Sequence, residues 1–283
     1  MRRILLCLDG SQYGRSNCGY AAWLAGRTGA SADALYVSEL WQFETPLIAD
    51  FGGSLGAQPY LALTSQLQEI EKQKAEALKS AAEDSFSKAG VPDRLRFHHR
   101  TGVLVDCLEE FEQAEEPADF LVVGKRGENA NFAKGHLGAN MERVVRASSL
   151  PVLVANREFV APQKLLIAYD GSPSAAKALE WAATSVAVAG VEKHVITVAR
   201  TGEERQASER LAVAEKALQT VGVASAQVLA GHPGDAIAEY VAANGISLLL
   251  MGAYGHSAIR RLIIGSTTTE LLRRCKVPVV LFR

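Results

Sequence analysis

Gly252-Ala253-Tyr254-Gly255 is followed by nine residues and then by Gly265-Ser266-Thr267. The first glycine closes an apolar run and the last opens a helical pattern, so the segment reads as a strand-to-helix loop. Such a loop is suited to wrapping an anion. Glycine lets backbone N–H groups approach a phosphate with no Cβ in the way. Successive amides make a concave nest for oxygen atoms. The helix start adds unpaired donors and partial positive charge, and Ser266 and Thr267 add hydroxyls there. The chemistry on offer is phosphate binding, although glycines that merely turn the chain leave the same trace.

Asp170 follows the first apolar run of the same half. In an open parallel sheet, ligands bind outside the carboxyl ends of the strands, where the strand order reverses. The first strand and the strand before the glycine loop are expected to flank that crevice. A carboxylate repels phosphate, so Asp170 fits the nucleoside end, bonding a base or ribose. Asp-Gly-Ser before a helix is equally good capping chemistry, and both readings stand. His256 either touches a phosphate or is a loop histidine. Arg260 and Arg261 either clamp phosphate oxygens or are solvated loop charge. His98 and His99 are adjacent, so on a strand they face opposite sides, which disfavours a shared metal. The chain has no HExxH and no Walker A lysine motif. Cys7, Cys18, Cys107 and Cys275 include no CxxC pair and are too scattered for a disulfide framework. They read as reduced thiols of a cytoplasmic protein.

The elements that must position these residues occur twice. Arg2-Arg3-Ile4-Leu5-Leu6-Cys7-Leu8-Asp9-Gly10-Ser11 returns as Gln163-Lys164-Leu165-Leu166-Ile167-Ala168-Tyr169-Asp170-Gly171-Ser172. Phe120-Leu121-Val122-Val123-Gly124 returns as Leu248-Leu249-Leu250-Met251-Gly252, and Pro151-Val152-Leu153-Val154 as Pro278-Val279-Val280-Leu281. The order is the same in both halves, so the chain is a duplicated domain rather than a solenoid. In the second half, strands are expected over 164–169, 193–199, 224–230, 246–251 and 278–282, and helices over 173–189, 203–221, 233–244 and 266–275. Alternating strands and helices give βαβ units and a parallel sheet. Continuous apolar runs fit strands covered on both faces. The interval from Asp9 to Gly124 is 33 residues longer than that from Asp170 to Gly252. The excess lies around residues 40–75: an aromatic, glycine-rich loop over 41–60, then a long polar helix over 61–90. It reads as a surface arm, or else as a lid or dimer contact. The boundaries expected are 1–157 for the first domain and 162–283 for the second.

The last strand of each half begins with proline and is strongly apolar, which reads as a sheet edge. A bare apolar edge invites aggregation, so the two edges are expected to meet and give the chain a pseudo-twofold axis. Composition narrows the function. With 283 residues, 30 Lys plus Arg, 31 Asp plus Glu and a net charge of −1, the chain lacks the basic excess of a nucleic-acid binder. Its 48% hydrophobic and 22% charged residues are ordinary for a globular protein. The apolar run after Arg3 ends at Asp9, short of the ~7–15 residues of a signal-peptide core. No stretch approaches the ~18 apolar residues of a membrane span, so no membrane partner is expected.

These residues together resemble the universal stress protein family in its tandem form. The ATP-binding pattern of that family is glycine, two residues, glycine, nine residues, glycine and then serine or threonine. Residues 252–266 match it in every fixed position and in spacing. The resemblance spans nearly the whole chain. It implies an α/β fold of two tandem Rossmann-like (HUP-type) domains, each a five-stranded parallel sheet of order 3-2-1-4-5 flanked by helices. It implies ATP or a related adenine nucleotide, with or without Mg, in the second half. Gly252, Gly255, Gly265, Ser266 and Thr267 would then hold phosphates and ribose, Asp170 the nucleoside, and the backbone of Val198 the adenine. Pairing through the fifth strand is also implied, making the two halves an intramolecular pseudo-dimer and leaving a further homodimer open.

The first half departs from the pattern. After Gly124-Lys125-Arg126-Gly127 come ten residues, then Gly138-Ala139-Asn140. Both hydroxyls are gone, and Lys125, Arg126, Lys134 and His136 make the loop cationic. Decay of the site is the favoured reading over an alternative anion site, because an inserted residue shifts the nest. Asp9 and Val37 are the matching nucleoside positions. The leading expectation is a stress-response protein that binds nucleotide for sensing or regulation, with at most slow ATP hydrolysis. The alternatives are a weak ATPase or nucleotidyl-transfer enzyme using Asp170 as a metal ligand, and a ligand-free scaffold that meets protein partners through residues 41–75.

Overall fold

The computed structural model describes residues 1–38, 58–127, 137–253 and 265–283. The first half contains β1 (Arg3–Leu8), α1 (Gln12–Thr28), β2 (Ser31–Ser38), α2 (Gln58–Lys88), β3 (Leu95–Thr101), α3 (Leu104–Glu112), β4 (Phe120–Gly124), α4 (Ala139–Ala147) and β5 (Val152–Ala155). The second contains β6 (Lys164–Ala168), α5 (Pro173–Thr184), β7 (Glu192–Ala199), α6 (Glu204–Leu218), β8 (Ser225–Ala230), α7 (Pro233–Ala243), β9 (Leu248–Gly252), α8 (Ser266–Arg274) and β10 (Val279–Phe282). The long polar helix expected in the insertion is α2. The aromatic loop before it lies outside the described residues, apart from its last three, which start α2.

Ten strands form one sheet in the order β3-β2-β1-β4-β5-β10-β9-β6-β7-β8. Each half is parallel with order 3-2-1-4-5. The continuous apolar runs are buried on both faces, as their composition requires. Leu165 and Ile167 point into one core with Ala175, Ala178 and Leu218, while Leu166 points into the other with Ile237, Leu249 and Leu271. Accordingly α1, α2, α5 and α6 cover one face, and α3, α4, α7 and α8 the other.

The two apolar edges meet. β10 runs antiparallel to β5, with Val280 opposite Leu153. Pro151 and Pro278 sit just before these strands and serve the ladder as acceptors, taking bonds from Leu121 N and Leu249 N at 3.0 Å. Val152, Leu153, Val154, Val279, Val280 and Leu281 are each at most 2% exposed. Full burial of such side chains contributes about 1.5–3 kcal/mol apiece, so the seam is continuous core. Side chains also cross it: Trp181 stacks on Phe120 at 5.8 Å between centroids.

Capping sets several helix limits. Ser11 and Ser172 cap α1 and α5 through their hydroxyls, and Gly29 ends α1 in the left-handed region at φ 73°. The helix expected over 173–189 stops at Thr184 and resumes as a 3-10 turn over Val186–Val188. Ser185 accepts from Ala187 N at the break, and Arg27 of the other half donates to the carbonyls of Ala187 and Ala189. Ser185 thus opens the turn locally, and the other half holds it. All four cysteines are buried free thiols.

Candidate functional site

Within the second half the strand order reverses between β6 and β9, whose last paired residues are Ala168 and Met251. Asp170 stands beyond the end of β6 and is exposed. Its Oδ1 accepts from Ser172 N at 2.9 Å, and Ser172 Oγ in turn accepts from Ala175 N at 3.2 Å. Ser172 is therefore the cap of α5, and Asp170 braces the turn before it. Gly171 between them has φ +81°, where an L side chain is strained. A methyl on Gly171 would lie 3.4 Å from Cδ of Arg210, so α6 lays a cationic side chain over this turn. Sequence reading did not single out Arg210, because nothing in its own helix distinguishes it from a solvated arginine.

Across the crevice, Gly252 has a packing reason of its own. A Cβ there would collide with Ser174 Oγ and stand 3.0 Å from Ala175 N. Bare backbone lets β9 lie against the first turn of α5. Gly124 does the same in the first half, where a Cβ would meet that of Tyr13 at 2.7 Å. Gly265 is different. It is the N-cap of α8, with no side-chain bond to the first amides. The loop is closed by Gly265 N on the Ala253 carbonyl at 3.4 Å and by Thr268 Oγ1 on the same oxygen at 3.2 Å. Ser266 is exposed, Thr267 half-buried and Thr268 buried. Helix α8 thus presents its N-terminus without a side-chain cap, whereas α5 opposite is capped by its own serine. Gly255, His256, Arg260 and Arg261 lie outside the described residues.

Val198 lies near the end of β7, opposite Leu229 of β8. Ile196 accepts from Tyr169 N at 2.9 Å, so its backbone faces β6. Strand residues two apart share that orientation. The N–H and C=O of Val198 therefore face the same side, one step past the end of β6, and Ala199 O faces away to Gly231 N at 3.2 Å. Asp170, Val198 and Gly252 stand at or just past the carboxyl ends of the adjacent strands β6, β7 and β9.

The first half has the same scaffold with different contents. Asp9 Oδ1 accepts from Ser11 N at 3.1 Å and Ser11 Oγ at 2.5 Å. A Cβ on Gly127 would stand 3.1 Å from Asp9 Oδ2, so the loop after β4 closes over this carboxylate. Gly138 N bonds the Lys125 carbonyl at 3.0 Å, matching the closure at Gly265. Lys125 turns away from any cradle: its Nζ donates across the seam to the Cys275 carbonyl at 2.9 Å. Lys134 and His136 lie outside the described residues. A cleft of about 190 Å³ opens between the start of α1 and α2, lined by Asp9, Arg15, Lys74 and Leu78 among others. Its described lining includes no residue of β4. His98 and His99 part as expected: His98 Nε2 meets Asp33 Oδ1 at 2.7 Å, and His99 stacks on Tyr36.

Burial pushes the Lys125 ammonium down from 10.5 to about 8. Below that value the folded protein carries a desolvation cost, which is relieved as pH rises toward 10.5, where the unfolded chain also deprotonates. Lys125→Met is expected to stabilise the protein by about 1–2 kcal/mol at pH 7, the gain being offset in part by the lost bond to Cys275. The advantage shrinks as pH rises from 8 to 10. Denaturant melts of both proteins across that range check it, and equal stabilities at pH 7 would show that Lys125 carries no burial cost.

The fold defines a class: two Rossmann-like α/β units in one chain, joined through their fifth strands. A model of the universal stress protein family matches residues 1–156 and 162–283. The chain belongs to that family of stress-response proteins, in its tandem form. It is 40% identical to a universal stress protein of Synechocystis sp., with 100% of both chains covered. The structure is similar to that of a universal stress protein from Archaeoglobus fulgidus DSM 4304, with TM-score 0.71, 23% identity, and 99% of this chain and 98% of that one covered. A universal stress protein solved in complex with cAMP is 25% identical, with 44% of this chain and 98% of that one covered and TM-score 0.37. Among the described residues no helix is long and apolar enough to cross a membrane.

Proposed function

We propose that the second half binds ATP or a related adenine nucleotide as a sensed or regulatory ligand. The observation that supports this reading is the start of α8, where Gly265 supplies no side-chain cap and Thr268 closes onto Ala253 just past β9, the strand beside β6 and its Asp170. An anion would satisfy what no described side chain there does. In this reading the amides of the α8 start and the hydroxyls of Ser266 and Thr267 hold phosphate oxygens, with Gly252 and Gly255 as the other fixed positions of the binding pattern. Asp170, already oriented by Ser172 N, bonds the ribose or base. Val198 offers one donor and one acceptor to the adenine edge. Magnesium, where it accompanies the nucleotide, would neutralise phosphate charge. Rapid hydrolysis needs a positioned base and charge-neutralising groups around the transferred phosphoryl, and the described residues supply no such set. The function is therefore binding, with turnover slow at most.

In the first half the loop over Asp9 and the Lys125 bond to Cys275 fit a structural role. The four buried free thiols accord with work in a reducing cytoplasm. Isothermal titration with ATP tests the proposal. One ATP per chain is the expected result, with adenine nucleotide also released on denaturing the purified protein. No heat with millimolar ATP and no released nucleotide would leave the ligand-free scaffold in its place. Two ATP per chain would restore the first-half site.

A further inference from the structure

Three side chains that the nucleotide reading does not use converge at the junction of α7 and α8. His232 ends the turn after β8, Asp235 lies in the first turn of α7, and Glu270 projects from α8. One ligand atom from each lies within 4.8 Å of the others, the one such group among the described residues. His232 Nδ1 stands 3.7 Å from Asp235 Oδ2 and 3.7 Å from Glu270 Oε2. These separations are too long for hydrogen bonds. They are close to the edge of a tetrahedron around a cation with bonds of about 2.0–2.1 Å, which is roughly 3.4 Å.

The other oxygens are already held. Arg274 Nη1 binds Asp235 Oδ1 and, at 2.8 Å, Glu270 Oε1. The guanidinium thus orients both carboxylates from behind, as partners of metal ligands commonly do, and leaves Oδ2 and Oε2 turned toward His232. Gly234 completes the arrangement, since any side chain there would collide with the Glu270 carboxylate. A salt-bridge clasp between α7 and α8 explains Arg274. His232 Nδ1, at 3.7 Å from an oxygen of each carboxylate, adds a third donor atom to the pair and leaves room between the three for a cation.

We propose that His232, Asp235 and Glu270 bind a first-row divalent cation of the Zn²⁺, Co²⁺ or Ni²⁺ type. One imidazole nitrogen with two carboxylate oxygens suits these ions, whereas Mg²⁺ and Ca²⁺ prefer oxygen throughout. Two carboxylates against one guanidinium leave a net negative site. Water supplies the remaining ligand, because the histidine and aspartate side chains are 61% and 53% exposed. Three protein ligands at an exposed site bind more weakly than the four of a buried structural zinc.

The test uses the full chain, stripped with chelator and free of nucleotide, so its outcome does not depend on the ATP proposal. Co²⁺ is titrated while its visible absorption is followed, and Zn²⁺ stoichiometry is measured by equilibrium dialysis. The wild type is expected to take one ion per chain. His232→Ala and Glu270→Gln, both surface changes whose folding is checked by circular dichroism, are expected to weaken binding about tenfold or more. No Co²⁺ band with no retained Zn²⁺ overturns the proposal. So does binding that is undiminished in His232→Ala, which would place the ion elsewhere.

Discussion

Replacing Gly265 with aspartate is expected to leave the protein slightly more stable and its ATP affinity roughly 100-fold lower or worse. The two effects have one cause. Gly265 has φ −57° and ψ 146°, a backbone that any residue adopts. Among the described residues a Cβ there would meet Ala253 O and Thr268 Oγ1, each at 3.5 Å, which is ordinary contact. The described surroundings therefore do not demand glycine at this position. An aspartate side chain would reach back over the amides of Thr267 and Thr268 and cap α8. Relative to glycine, that gains a few tenths of a kcal/mol, with about 0.3–1 kcal/mol more from the helix dipole. The same carboxylate puts negative charge where a phosphate is proposed to sit and takes its donors. Each hydrogen bond to a charged group is worth about 1.5–3 kcal/mol. Losing two of them lowers affinity by roughly 100-fold or more. Thermal melts and ATP calorimetry on one preparation check both halves of the prediction. Undiminished ATP binding in Gly265→Asp would move the phosphates away from α8, and a clear fall in melting temperature would make Gly265 structural.

The contrast between Gly265 and Gly252 also shows what the sequence carries. Both belong to one spacing pattern, and the pattern alone assigns both to the ligand. Only the packed structure separates a glycine that admits a neighbouring helix from one that leaves a helix end bare. The sheet itself was legible, because strands buried on both faces must be continuously apolar and the same three blocks recur in order. The pairing of β5 with β10 followed from the hazard of an exposed apolar edge. Residues whose partners lie in the other half were not legible. Lys125 reads as one of several loop cations until the seam brings the carboxyl end of α8 beside it. Arg27 holds the 3-10 turn after α5 from the other half, through the carbonyls of Ala187 and Ala189, and no local propensity announces that. The cluster at His232 escaped because its ligands are 38 residues apart along the chain, from His232 to Glu270.

Removing the Asp33 carboxylate is expected to produce the largest loss of stability among single polar changes considered. Asp33 interrupts an otherwise apolar strand, Ser31-Ala32-Asp33-Ala34-Leu35-Tyr36-Val37, and its side chain is 1% exposed. It accepts from Arg3 Nε at 2.6 Å, Arg96 Nη2 at 3.0 Å and His98 Nε2 at 2.7 Å. The equivalent place in the second half holds His194, bonded to Tyr240 Oη and Glu192, so each half fills this buried position with a hydrogen-bonded polar group. Asp33→Ala leaves Arg3, which is only 14% exposed, without its counter-ion. Removing one partner of a buried pair costs about 3–5 kcal/mol. Arg96 is half exposed and recovers water, so a loss of about 3 kcal/mol is expected, or a melting temperature lower by about 6–12 °C. Burial alone would raise the Asp33 pKa; the bonds from Arg3 and His98, the Arg3 charge and the Arg96 bond outweigh it and hold the carboxyl below 3.8. A carboxyl lowered on folding stabilises the protein above its unfolded value, and that contribution disappears as pH falls through the folded one. Wild type and Asp33→Ala should therefore differ fully at pH 5–7 and converge in acid below about pH 4. Denaturant melts of both proteins at pH 7 and pH 3 measure this. A gap that persists unchanged at pH 3 would mean that Asp33 acts through shape rather than charge, and the three donors around it would need another explanation.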